Sequence, residues 1–214
     1  MIMIGLTGPT GAGKSTAARI LTSMGCAVID GDALAREITL PGSPVLTALA
    51  ERFGGDILLA DGSLDRALLA SRAFADEQSR QDLNAITHPA ITALALARAE
   101  THGSASGITV VDAAALPESG LARHCERIIV LTAPEEVRLA RILARDGISE
   151  AAARQRIDAQ RHINYNGHTM IDTSEGEAAL RHALEQALEE IFSRTGGDSA
   201  GSGAADRAAV PQGD

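Results

Sequence analysis

Aromatic residues are nearly missing from this sequence: three Phe, one Tyr and no Trp make up 2% of it. Positive charge is also short, with 19 Lys and Arg against 28 Asp and Glu, which leaves a formal charge of −9. A nucleic-acid surface needs a basic stripe and often stacking rings, so both shortages argue against one. Cysteine is scarce. Cys26 and Cys125 stand far apart in apolar surroundings, a pattern that argues against a disulfide framework or zinc site and fits a reducing compartment. No apolar run is long enough to cross a bilayer, and no charged N-terminal region precedes a cleavable apolar segment. The expectation is a cytoplasmic protein without nucleic-acid or membrane partners, and no feature calls for an obligatory protein partner.

Glycine, by contrast, is used with purpose. In Gly8-Pro9-Thr10-Gly11-Ala12-Gly13-Lys14-Ser15 the glycines allow a backbone path on which successive N–H groups turn toward phosphate oxygens. Lys14 can reach the β- and γ-phosphates, and Ser15 offers a hydroxyl to Mg²⁺. The apolar run Met1 to Leu6 precedes this loop as a buried strand would, and Ala17, Ile20, Leu21 and Met24 follow at helical spacing. Strand, loop and helix in this order make a P-loop, with the helix dipole directed at the anion. A flexible turn would not explain Lys14-Ser15. The 214 residues suit one sizeable α/β domain.

A second strand, Ala27-Val28-Ile29, runs into Asp30-Gly31-Asp32 at the sheet end where ligands bind. In an extended segment the two carboxylates point the same way; alternatively, one caps the helix beginning near Ala33. Residues 33 to about 100 carry helical patterns and no period-two strand, so they read as an insertion able to cover an acceptor. Within it, Arg66 is an acceptor ligand or an ion-pair partner of Asp65. His88 is an acceptor ligand, or a capping or core histidine before a helix started by Pro89. Ile108 to Val111 is a third strand ending in Asp112, which stands behind Mg²⁺ or accepts hydrogen bonds in a loop. Arg127 to Leu131 is a fourth strand. Arg138, Arg141 and Arg145 then share a helical face, and Arg154, Arg156 and Arg161 follow on a second helix from Glu150 to Arg161. They form either a cationic lid or a solvated face of ion pairs. His168 to Asp172 reads as a last strand, Glu175 to Arg194 as a final helix, and Gly196 to Asp214 as a disordered tail.

Taken in order, these segments resemble dephospho-coenzyme A kinases over about residues 2 to 192. The resemblance rests on Gly5 to Gly8, Ile29 to Asp32, Phe53 to Leu58, Asp61 to Arg66, Leu83 to Pro89, Glu118 to Leu121, Arg141 to Asp146 and Arg156 to Gln160. It implies ATP-dependent phosphorylation of the ribose 3′-hydroxyl of dephospho-coenzyme A, with Mg²⁺ as cofactor and ATP as co-substrate. It also implies a P-loop NTPase fold: a five-stranded parallel sheet, a helical acceptor-binding insertion and a small helical lid. In numbers, a single domain spans 1–195, with the core at about 1–32, 104–134 and 165–195, the insertion at 33–103 and the lid at 135–164.

By the same resemblance Asp32, Lys14 and Arg141 are catalytic. Gly11, Ala12, Gly13, Lys14, Ser15, Thr16, Arg141 and Arg145 bind ATP. Asp32, Arg66, His88, Asp112 and Glu118 bind the acceptor, and Ser15, with Asp112 as a second ligand, holds Mg²⁺. The sequence departs from the family at Ala113 to Pro117, where an aromatic is lost and a proline moved, and at Thr173, where Asn is usual. The alternatives are another small-molecule P-loop kinase of nucleotide or shikimate type, or a GTP switch. The switch would need an Asn-Lys-x-Asp segment, and this chain has none.

Overall fold

The computed structural model describes residues 2–101, 103–161 and 163–197, the side chains of Glu118 and of 194–197 excepted. Short apolar runs form β1 (Ile2–Thr7), β2 (Ala27–Asp30), β3 (Ile108–Asp112), β4 (Arg127–Thr132) and β5 (Thr169–Asp172). They make one parallel sheet in the order β2-β3-β1-β4-β5. β1 lies in the middle, buried on both faces, which is why its sequence is apolar almost without interruption.

Period two divides β1 between two layers. Ile4 and Leu6 pack with Ile20 and Leu21 of α1 (Lys14–Ser23) and with Leu184 and Leu188 of α8 (Glu177–Gly197). On the opposite face Met3, Ile29, Val111 and Val130 meet Ala95 and Ala99 of α5 (Glu77–Thr101), whose methyl-sized side chains let that helix lie close to the sheet. Gly5 faces the same way and makes room for Leu116: a Cβ at Gly5 would come within 2.3 Å of that side chain. Each large apolar side chain sealed in these layers contributes roughly 1.5–3 kcal/mol.

Between β2 and β3 the chain builds α2 (Gly31–Glu37), α3 (Pro44–Phe53), α4 (Arg66–Ala73) and α5. Ser43 and Asp65 start α3 and α4 by accepting hydrogen bonds from Leu46 and Leu68 N–H. These helices enclose a core of their own, with Leu46, Leu49, Phe53, Ile57, Leu64 and Leu69. Pro89 does not begin a helix. α5 runs straight through it, at the cost of one ladder bond that proline cannot donate.

After β4, α6 (Glu135–Asp146) and α7 (Glu150–Asp158) close a small cluster of Leu139, Ile142, Ala153 and Ile157. Gly147 in left-handed conformation ends the first helix and Ser149 caps the second, which stops short of the expected Arg161. α8 runs to Gly197, so Gly196 and Gly197 belong to it rather than to a disordered tail; 198–214 lie outside the described residues. Among the described residues no helix is long and apolar enough to cross a membrane.

Candidate active site

The carboxyl ends of β1, β2 and β3 are level, because Leu6 is in register with Asp112 and Asp112 with Asp30. There the chain leaves β1 through the glycine loop and borders a cleft of about 880 Å³. Gly8 and Gly11 are required on two counts. Their φ angles are +145° and +80°, and a Cβ would lie 2.4 Å from the Leu131 carbonyl oxygen and 2.7 Å from that of Arg138. α1 begins at Lys14 with Gly13, which has no side chain to cap it, as its N-cap, so its first N–H groups suit an anion. Lys14 Nζ donates to the Gly8 carbonyl at 2.7 Å. Gly11 to Thr16 all line the cleft.

The two aspartates after β2 take different parts. α2 starts at Gly31, so the alternation expected of an extended segment does not apply. Asp30 closes the strand and caps the helix, accepting from Asp32 N–H at 2.8 Å and Ala33 N–H at 3.2 Å. Asp32 lies in the first helical turn, and both residues border the cleft. Gly31 permits this closeness: a Cβ there would meet Ala113 Cβ at 2.7 Å and the Asp112 carbonyl at 3.0 Å.

Asp112 completes the acidic side. Burial pushes its carboxyl up to about 6; Lys14 opposes that rise, while Asp30 and Asp32 add to it. Burial likewise lowers the Lys14 ammonium, against the attraction of Asp112 and Asp32 and with the help of Arg145. Asp112 and Asp32 thus both act on the Lys14 ammonium, and Asp30 borders the same cleft. Among the described residues no three acidic, His or Cys side chains form a complete metal cage.

The arginines separate cleanly. Arg141 reaches into the cleft, donating to Thr173 Oγ1 at 2.8 Å, the Thr173 carbonyl at 2.7 Å and the Gly11 carbonyl at 3.3 Å. Arg145 also borders the cleft, but pairs with Asp146 at 2.7 Å and keeps 58% of its side chain exposed. Arg138 donates to the carbonyls of Ala133 and Thr10. Arg154 and Arg156 of α7, and Arg161 beyond its end, form surface ion pairs with Glu150, Asp146 and Asp158.

Arg66 and His88 do not line this cleft. Arg66 donates to Thr39 Oγ1 at 2.9 Å within the helical insertion, and His88 lies midway along α5. The side chain of Glu118 lies outside the described ones. In the departing segment, Ala113 and Ala114 line the cleft, whereas Leu116 is core. Gln160 and Thr173 also line the cleft, without a role legible in the sequence. Gln160 Oε1 accepts from Thr10 N–H at 2.6 Å, and Thr173 is 3% exposed just beyond β5. The rule that ligands gather at strand carboxyl ends would have found Thr173.

Residues 2–169 match the family model described as dephospho-CoA kinase. A protein named dephospho-CoA kinase from Syntrophotalea carbinolica is 45% identical over 161 residues, 75% of this chain and 76% of that protein. Its namesake from Geobacter sulfurreducens is 40% identical over 198 residues, 91% of this chain and 98% of its own. The solved dephospho-CoA kinase of Campylobacter jejuni superposes with a TM-score of 0.61 at 25% identity, covering 90% of this chain and 98% of that one.

Proposed function

The chain belongs to the dephospho-coenzyme A kinase family, and from that premise we propose how its cleft carries out the family reaction. The enzyme phosphorylates dephospho-coenzyme A at the expense of ATP, in coenzyme A biosynthesis. The observation that carries our reading of the site is the level arrangement of the glycine loop, Asp32 and Asp112 at adjoining strand ends, facing one cleft.

The triphosphate of ATP lies on the N–H groups of Gly11 to Thr16. Lys14 leaves the Gly8 carbonyl to meet the β- and γ-phosphates. Asp32, on a helix whose start is already capped by Asp30, accepts the proton of the ribose 3′-hydroxyl as its oxygen bonds to the γ-phosphorus and the bond to ADP breaks. Arg141, with Arg145 at the rim, offsets charge developing on the transferred group. Closure of α6 and α7 keeps water from replacing the acceptor. Arg66 and His88, on the insertion, and Glu118 contact the remainder of dephospho-coenzyme A.

The residues present fit Mg²⁺. Magnesium needs one or two protein oxygens beside phosphates rather than a full cage. The Ser15 hydroxyl and the half-buried Asp112 carboxylate supply them, in a cleft that Asp30 and Asp32 also border. When bound, the ion neutralises phosphate charge. The two free cysteines suit a reducing cytoplasm.

Incubation of the purified protein with Mg²⁺-ATP and dephospho-coenzyme A should yield a product heavier by one phosphate, located at the 3′-oxygen. Turnover with a nucleoside monophosphate or shikimate in its place, or with GTP alone, would move the activity to another kinase or to a switch protein.

A further inference from the structure

We propose that Thr173 is a positioning residue: its hydroxyl fixes the Arg141 guanidinium against the glycine loop, so that the cation of α6 is aimed before nucleotide arrives. The proposal deepens, and rests on, the reading of Arg141 given above.

Three parts of the molecule meet at this one hydroxyl. Thr173 N–H donates to the Thr132 carbonyl at 2.8 Å, which anchors the residue to the end of β4. The hydroxyl proton is shared between the carbonyls of Ala12, at 3.0 Å in the glycine loop, and Thr132, at 3.1 Å. Its lone pairs face α6 and accept from Arg141 Nη1 at 2.8 Å, while the Thr173 carbonyl accepts from Nη2 at 2.7 Å. One residue therefore clasps both nitrogens of the guanidinium fork. Nη1 is held within 3.3 Å of the Gly11 carbonyl as well.

Arginine has many rotamers, and a free one would have to lose that freedom in the transition state. Held beforehand, its charge acts without reorganisation. The hydroxyl is needed for this and the shape of the side chain is not. Valine has the same outline, yet it can neither accept from Nη1 nor donate to Ala12, and it would leave both without that partner in a nearly sealed position. Serine keeps the hydroxyl and gives up only the methyl group.

The test is steady-state kinetics of the full chain carrying Thr173→Val, Thr173→Ser, Arg141→Ala and the Thr173→Val, Arg141→Ala pair, with each variant's fold checked by circular dichroism. Thr173→Val should lower kcat by about 10-fold with the KM for dephospho-coenzyme A within about 2-fold, and Thr173→Ser should restore kcat to within about 2-fold. In the Arg141→Ala background Thr173→Val should cost less than about 2-fold more. Equal losses in both backgrounds, a native-like Thr173→Val, or a Ser variant as slow as Val would each overturn the proposal while Arg141 keeps its role. A native-like Arg141→Ala would overturn the reading of Arg141 and this proposal with it. Thr173→Ala, measured alongside, carries the same comparison if the Val variant does not fold.

Discussion

Asp30 accepts the backbone N–H of Asp32, so one carboxylate of the pair holds the start of the helix on which the other stands. The capping role falls to Asp30, and Asp32, in the first turn, borders the cleft. Asp32→Asn should lower kcat by about 10²-fold or more with ATP affinity nearly unchanged. Asp30→Asn, which still caps, should be mild, and Asp30→Ala should cost about 1 kcal/mol of stability. Calorimetric titration with ATP and a turnover assay separate the two; loss of turnover in Asp30→Asn with a native-like Asp32→Asn would reverse their roles.

Asp112 gives stability a pH dependence. Its carboxyl is pushed up to about 6 in the folded protein, against about 3.9 for an unperturbed aspartate. The folded state binds this proton more tightly, so the group costs stability increasingly from about pH 4 to pH 6 and fully above that. Asp112→Asn should therefore raise the Tm of the nucleotide-free protein by a few degrees at pH 7.5, and the gain should shrink toward pH 5. A gain independent of pH, or a loss at pH 7.5, would show that burial of Asp112 is not what destabilises.

Gly11 and Gly42 have nearly the same φ, +80° and +82°, but different surroundings. Around Gly42 nothing lies within 4 Å of an added Cβ, whereas at Gly11 the Arg138 backbone is in the way. Gly42→Ala should cost about 1–2 kcal/mol, the left-handed penalty alone. Gly11→Ala should cost more and abolish ATP binding, as denaturant melts and nucleotide titration would register.

Arg141 and Arg145 face the same cleft from different restraints. Arg141 is clasped, while Arg145 pairs with Asp146 on the exposed rim. Arg141→Ala should lower kcat by about 10²-fold and Arg145→Ala by about 10-fold. Arg154→Ala, which breaks only exposed pairs, should stay within about 2-fold. Native-like turnover in all three would leave α6, like α7, a charged surface and nothing more.

The glycine loop, the strands and the acids at their ends are legible in the sequence because each depends on local chemistry: short apolar runs, obligate glycines and a lysine-serine pair. The division of labour between Asp30 and Asp32 is not, since it turns on where the helix begins by a single residue. Pro89 misleads for a related reason. It reads as a helix start, yet packing of both halves of α5, against the insertion and against the sheet, outweighs one lost ladder bond. Gln160 stays hidden, and so does the contact of Thr173 with Ala12, because the partners lie some 150 residues away and become neighbours only in the folded chain.

The central place of β1 also bears on how the protein is made. Its two ladder partners, Ile108–Asp112 and Arg127–Thr132, come about a hundred residues later. At synthesis rates of roughly 5–20 residues per second, the strand waits roughly 5–20 s with both edges unpaired. Pairing so distant in sequence is slow to form, and an apolar strand with open edges is a template for aggregation. The helical insertion, which has a core of its own, emerges within that interval. The helical insertion thus has its own core available before the sheet can close, and it is β1 that a ribosome-associated chaperone would have reason to hold.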